Sequence, residues 1–219
     1  MDGEALVSAP FRDPRYAERR LETVRRDDGA LILSNTTPWS DRFSTTNAAL
    51  DHWAAAAPER PFIAERPFLA DKEGAGFVGL TFGEAHGEIG RIAAGLLAMG
   101  LGPGRPLMIL ARNSVDHALI AYGAMRIGCE IAPLSPQYVG QGAEPARLAH
   151  ASALIRPAAV YVEDAGAAAE ALARDPVLST VPVITSRNPQ AGQTLLLELR
   201  QGSAVSANLA APSQTAKLL

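Results

Sequence analysis

Between residues 80 and 138, apolar and polar positions fall into blocks that predict a repeating order of elements. Thr81-Phe82-Gly83-Glu84 places Thr and Glu where each side chain can satisfy a backbone donor at a helix start. Phe82, Ala85, Ile89, Ile92, Ala93, Leu96 and Leu97 then recur with the helical period, which turns Glu84 and His86 toward the outer face. Gly100 ends that helix, and Leu101-Gly102-Pro103-Gly104 turns the chain into an apolar run over 106–111. The order then repeats. Asn113 or Ser114 caps a second helix, and Asp116 in its first turn complements the positive end of the helix dipole. Val115, Leu119, Ile120, Tyr122 and Met125 form its apolar face, and Gly128 stops it before a second apolar run over 129–134. Short apolar runs joined by amphipathic helices predict an α/β fold, with a mostly parallel, doubly wound sheet and flanking helices.

The flanks extend this pattern. Residues 1–43 form a polar, Arg-rich extension in which apolar runs at 21–25 and 30–33 flank Asp27-Asp28-Gly29. That is a turn signal for a β-hairpin, expected to pack on the body that follows. The body covers 44–219. It opens with a Ser/Thr-capped helix carrying Leu50, Trp53 and a run of alanines, stopped by Pro58. Strands are predicted at 62–64 and 77–80, separated by a charged, Pro- and Gly-rich loop. After a loop at 136–142 the pattern predicts a helix over 143–155, a strand over 158–162, an Ala-rich helix over 165–174 and a strand over 181–184. Residues 194–199 fit helix and strand equally, because short apolar runs are ambiguous by period. Residues 203–213 read as a loop of small residues, and 215–219 as the start of a strand.

Composition narrows the function classes. With 219 residues the chain holds one large domain or one and a half. A formal net charge of −3 argues against a dedicated nucleic-acid binder. The one cysteine, Cys129, permits no internal disulfide and reads as an inert core thiol. No apolar run approaches the roughly 20 residues of a membrane span, and no secretion signal opens the chain. These features lead to an expectation of a cytoplasmic protein with neither membrane nor nucleic acid as partner.

Candidate chemistry is sparse. His52, His86, His117 and His150 lie in separate predicted helices without a closely spaced second ligand, so no metal site is expected. Asp27-Asp28 and Asp71-Lys72-Glu73 fit a turn and a solvated loop. The turn at 101–104 follows a helix, whereas a dinucleotide fingerprint follows a strand. Arginines 12, 15, 19, 20, 25 and 26 interleave with acids, the pattern of a salt-bridged surface. Asn113 and Ser114 are explained by capping, and Arg112 by a surface or subdomain contact. The loop over 134–140 follows a predicted parallel strand. Ligands of open α/β sheets collect beyond the carboxyl ends of strands, which makes Ser135, Gln137 and Tyr138 the candidate binding residues; the other reading of this loop, and the favoured one, is a Pro-stiffened turn that orders the next helix.

Read together, Leu80 to Ala85, the turn at 101–104, Arg112-Asn113-Ser114, Met125-Arg126-Ile127-Gly128 and Ala132-Pro133-Leu134-Ser135-Pro136 resemble the N-terminal part of the adenylate-forming superfamily. Within it, the chain is most similar to feruloyl-CoA synthases, through Asp13-Pro14-Arg15-Tyr16, Arg25-Arg26-Asp27-Asp28-Gly29, Asn113 to Leu119, and Leu134-Ser135-Pro136-Gln137-Tyr138. The resemblance implies an ATP-dependent acid–CoA ligase that activates an aromatic, ferulate-like acid as the acyl-adenylate and passes it to CoA. ATP, Mg²⁺, CoA and the acid would be its ligands. It also implies that this chain stops short of the phosphate loop and lid. No catalytic residue or metal ligand is therefore assigned here, and tight cofactor binding is not expected. A related CoA ligase often carries Asn-Pro-Arg where Ser135-Pro136-Gln137 stands, so the cation that could meet a CoA phosphate is missing. An unfinished terminal strand leads to an expectation of self-association, a homo-oligomer included. Two other readings stand beside this one: another adenylate-former, such as a fatty acyl-CoA ligase or a carrier-protein adenylation domain, and a non-catalytic α/β binding module.

Overall fold

The computed structural model describes residues 20–38, 43–66, 76–140 and 142–218. The chain divides into two units, Met1–Arg42 and Phe43–Leu219. In the first, β1 (Leu21–Arg25) and β2 (Leu31–Asn35) form the expected antiparallel hairpin. Gly29 supplies the positive φ of 84° that the turn needs, and Asp28 accepts from the Ala30 N–H at 3.0 Å. Every residue of both strands is exposed. The motif Asp13 to Tyr16 and the acids Asp71 and Glu73 lie outside the described residues.

The second unit opens with α1 (Thr46–Ala56), capped by Thr45, whose hydroxyl accepts from the Ala48 N–H. Two strands follow, β3 (Pro61–Glu65) and β4 (Val78–Thr81). They pair antiparallel as a separate two-stranded sheet, so the run before residue 81 is not part of the parallel sheet that its place in the pattern implied. The capping box of α2 (Phe82–Ala98) is made as read. Thr81 Oγ1 accepts from the Glu84 N–H at 3.2 Å, and Glu84 Oε2 from the Thr81 N–H at 2.8 Å.

Next come β5 (Leu107–Leu110), α3 (Val115–Arg126), β6 (Ile131–Leu134), α4 (Pro145–Ile155), β7 (Ala159–Asp164), α5 (Ala165–Arg174) and β8 (Val183–Arg187). The ambiguous segment 194–199 splits into both elements, a short β9 (Thr194–Leu195) and a single helical turn, α6 (Leu196–Leu199). Strand order is β6-β5-β7-β8-β9, and all four pairings are parallel. Beyond β6, Lys217 bridges Ile131 in parallel register, so the segment read as a strand makes one bridge.

Because strand side chains alternate, the sheet feeds two cores. Leu107, Ile109, Tyr161 and Ile184 pack with α1, α2, α3 and α6 on one face; Met108, Leu110, Val160 and Val162 pack with Leu148 of α4 and with α5 on the other. Of the expected apolar face of α2, Ala85, Ile89, Ile92, Ala93 and Leu96 are fully buried and Phe82 partly so, whereas Leu97, at the helix's last turn, is exposed. Gly123 lets α3 approach closely, since a Cβ there would stand 2.8 Å from Ile92 Cγ2. Cys129 is buried just ahead of β6, and burial pushes its thiol up to about 12, so it stays protonated. Among the described residues, no helix is long and apolar enough to cross a membrane.

Candidate functional site at the carboxyl edge of the sheet

The chain leaves β5 through α3 to reach β6 on one side, and leaves β7 through α5 to reach β8 on the other. The crossovers thus diverge between the carboxyl ends of β5 and β7, the topological switch point at which doubly wound sheets bind ligands. Parallel register sets Leu110 beside Val162, which brings the residues just beyond each strand together. Arg112 donates from Nη2 to Glu163 Oε1 at 2.8 Å and from Nε to Oε2 at 3.2 Å, a forked pair across 51 positions of sequence. Arg187 at the end of β8 joins it, reaching Glu163 Oε1 at 3.3 Å and Asp164 Oδ2 at 2.9 Å. Asn188 donates to the same Asp164 oxygen at 3.0 Å.

Two cations therefore face two anions. The hydrogen bond from Arg112 holds the Glu163 carboxyl below its ordinary range, against the opposing effect of burial. At Asp164 burial pushes upward, but the bonds from Arg187, Ala167 N–H and Asn188 together outweigh it and the group is held low. Both guanidinium groups are held above their ordinary value, Arg112 by the Glu163 bond and Arg187 by the Asp164 bond.

A second network lies beneath, on the α2–α3 side. The buried Tyr161 hydroxyl and Ser186 Oγ are 2.7 Å apart, and Ser186 donates to Asp116 Oδ2 at 2.5 Å. Arg200 pairs with Asp116 and lies 3.1 Å from Glu88. Burial pushes the Tyr161 hydroxyl far up, so it titrates well above the neutral range.

The three residues singled out from sequence sit on the neighbouring loop and do not converge. Ser135 is exposed and caps a single 3-10 turn, Pro136–Tyr138, accepting from the Gln137 N–H at 3.2 Å. Gln137 is exposed. Ser135 borders a cleft of about 460 Å³ between the ends of β5 and β6, shared with Arg112 and His117. Tyr138 instead lines a cavity of about 580 Å³ between α4 and α5.

Sequence reasoning missed the most deeply placed charge. Arg126 has no exposed surface. Its guanidinium donates to Asp51 Oδ1 at 2.8 Å, Asn47 Oδ1 at 3.4 Å, Val205 O at 3.2 Å and Ser206 O. His86, expected on the outer face of α2, is instead half-buried, with Nε2 3.1 Å from Asp51 and 3.3 Å from Arg126. The reason is Asp51 on α1, a long-range partner that the period of α2 alone does not reveal. This cluster fastens 205–209 across α1–α3, and Gly90 leaves room for the Val205 carbonyl.

Fit to a magnesium nucleotide can be tested on donor chemistry. Glu163 and Asp164 spend their charge on arginines, and Glu65 Oε2 already accepts from the Val115 N–H at 3.0 Å at the start of α3. Among the described residues, no group of three His, Cys, Asp or Glu side chains converges to hold a metal. The residues present do not fit a triphosphate with its cation, and no chemical step is assigned to them.

Similar folds are known. VinN matches with a TM-score of 0.59 at 23% identity, covering 77% of this chain and 38% of that one. Acetoacetyl-CoA synthetase from Streptomyces lividans matches with a TM-score of 0.60 at 16% identity, covering 73% and 25%. A benzoate CoA ligase from Burkholderia xenovorans LB400 matches with a TM-score of 0.53 at 18% identity, covering 74% and 29%. The chain thus spans about two fifths or less of these proteins. No match is found among curated proteins. The family model for AMP-binding enzyme matches residues 50–217, most of the chain, and the protein belongs to that family.

Proposed function

We propose that this chain is the N-terminal part of an AMP-forming acid–CoA ligase, and that the acid is aromatic, of the hydroxycinnamate type. The observation that carries the ligase reading is the AMP-binding match across residues 50–217, on a parallel sheet with a topological switch point between β5 and β7. The aromatic acid rests on the likeness of Asn113 to Leu119 and Leu134 to Tyr138 to feruloyl-CoA synthases. In this reaction the acid's carboxylate attacks the α-phosphate of ATP, pyrophosphate leaves, and the CoA thiol then displaces AMP. Adenylation makes an otherwise unreactive carboxylate oxygen a good leaving group.

Within that enzyme, the part proposed for residues 44–219 is architectural. The sheet, the Arg112–Glu163–Arg187–Asp164 cluster and the Arg126 clasp form a rigid wall, while the phosphate loop, the Mg²⁺ ligands and the lid come from sequence beyond residue 219. The rigidity follows from charges that are already paired, so little reorganisation accompanies binding against them.

The acid class is tested with the natural full-length protein. Ferulate, 4-hydroxycinnamate, acetoacetate, L-aspartate and a long-chain fatty acid are each offered with ATP and CoA, and thioester and AMP are quantified. The reading expects the two hydroxycinnamates to give the highest kcat/KM. A preference for any of the other three replaces the aromatic assignment and leaves the adenylate-forming one standing.

A further inference from the structure

Three features lie outside the proposed reaction: the Arg126 clasp, the cavity between α4 and α5, and His117. The last carries furthest. His117 sits in the first turn of α3, and its Nδ1 is 3.0 Å from the Arg112 carbonyl oxygen. A carbonyl only accepts, so Nδ1 carries the proton, and in the neutral ring Nε2 is left as a lone-pair acceptor. Among the described residues Nε2 has no partner. The side chain borders both the 460 Å³ cleft between the ends of β5 and β6 and a second space of about 330 Å³ beside β3. The larger volume falls within the range of small-molecule sites.

We propose that His117 anchors the hydroxyl of a small aromatic ligand in the cleft beyond β5 and β6. The chemistry of the walls selects the class. Ala111, Pro133, Leu134 and Pro136 give an apolar surface suited to a planar ring, and Arg112, held by Glu163, adds a cation at its edge. A metal is disfavoured, because no set of three ligating side chains converges among the described residues. A multiply charged anion is disfavoured too, because Arg112 is already paired and Glu65 already occupies the amino end of α3. What remains is a neutral hydrogen-bond donor on an apolar body, and a phenol has both parts.

The test uses the 219-residue chain and two probes, 4-methylphenol and 4-methylanisole, which share a body but differ in the hydroxyl proton. Histidine ring and backbone amide resonances are followed by NMR. The phenol is expected to shift the His117 ring and the Asn113 and Ser135 amides saturably, and the ether to bind about tenfold more weakly, as loss of one good hydrogen bond implies. His117→Asn can keep the donation to the Arg112 carbonyl while removing Nε2, and should weaken the phenol to the level of the ether. Equal affinity for the two probes, no saturable shift at His117, or phenol binding unchanged in His117→Asn would each overturn the proposal. Neither probe has a carboxyl group, so the result is independent of acid activation.

Discussion

Arg126→Met removes a buried charge while keeping most of the apolar stem. In the native protein the guanidinium has no exposed surface and serves Asp51, Asn47 and the carbonyl groups of Val205 and Ser206. Breaking a buried ion pair by removing one partner costs about 3–5 kcal/mol, because the partner is left uncompensated. Here the orphaned groups are not all sealed off. The Asp51 side chain is 34% exposed and Ser206 lies at the surface, so water recovers part of the loss. The low end, about 3 kcal/mol, is therefore expected. Urea melts should show it as a lower midpoint with an unchanged slope. Hydrogen exchange should locate it: the Val205 N–H, bonded to Gly90 O, and the Leu209 N–H, bonded to Arg126 O, should lose protection before β5 does. A loss below about 1 kcal/mol with both amides still protected would refute the clasp as the fastening of this segment.

Ile92→Ala tests the packing of α2 on α3. The side chain is fully buried against Gly123, and the substitution should cost about 2–5 kcal/mol in a denaturant melt. A value below about 0.5 kcal/mol means the helix face is wrongly assigned. Glu163→Gln tests the carboxyl-edge cluster through pH. The folded protein holds Glu163 below its ordinary carboxylate range, chiefly through Arg112, so its contribution to stability is complete above the unfolded pKa and fades as pH falls through the folded one. The stability difference between wild type and variant should be flat near neutrality and shrink in acid. A difference that grows in acid contradicts the pairing.

Legibility in the sequence followed the range of the interactions. The Thr81–Glu84 capping box, the Asp28-Gly29 turn and the helix stop at Gly100 are decided within a few residues, and the structure places them as read. Most of the buried face of α2 followed from its period, but on α3 only Leu119 and Ile120 of the expected face are fully buried, beside the unexpected Ala121, Gly123, Ala124 and Arg126. Sheet membership did not, because whether β4 pairs with β3 or joins β5 depends on segments far apart in sequence. The same limit hid the candidate site. Arg112 and Glu163 meet only because Leu110 and Val162 share a register, and the signal was an Arg and a Glu-Asp pair standing at the ends of two apolar runs. Arg126 gave no local warning, since a cation near the end of a helix ordinarily reads as a dipole partner at the surface.

The central claim is that this sheet is one part of an acid-activating enzyme whose nucleotide chemistry is completed by further sequence. Acid-dependent exchange of labelled pyrophosphate into ATP measures that chemistry directly. The account predicts no exchange above a no-acid control from the 219-residue chain, and clear acid-dependent exchange from the natural full-length protein. Exchange by the chain alone, or its absence from the full-length protein across all the acids offered, would contradict it.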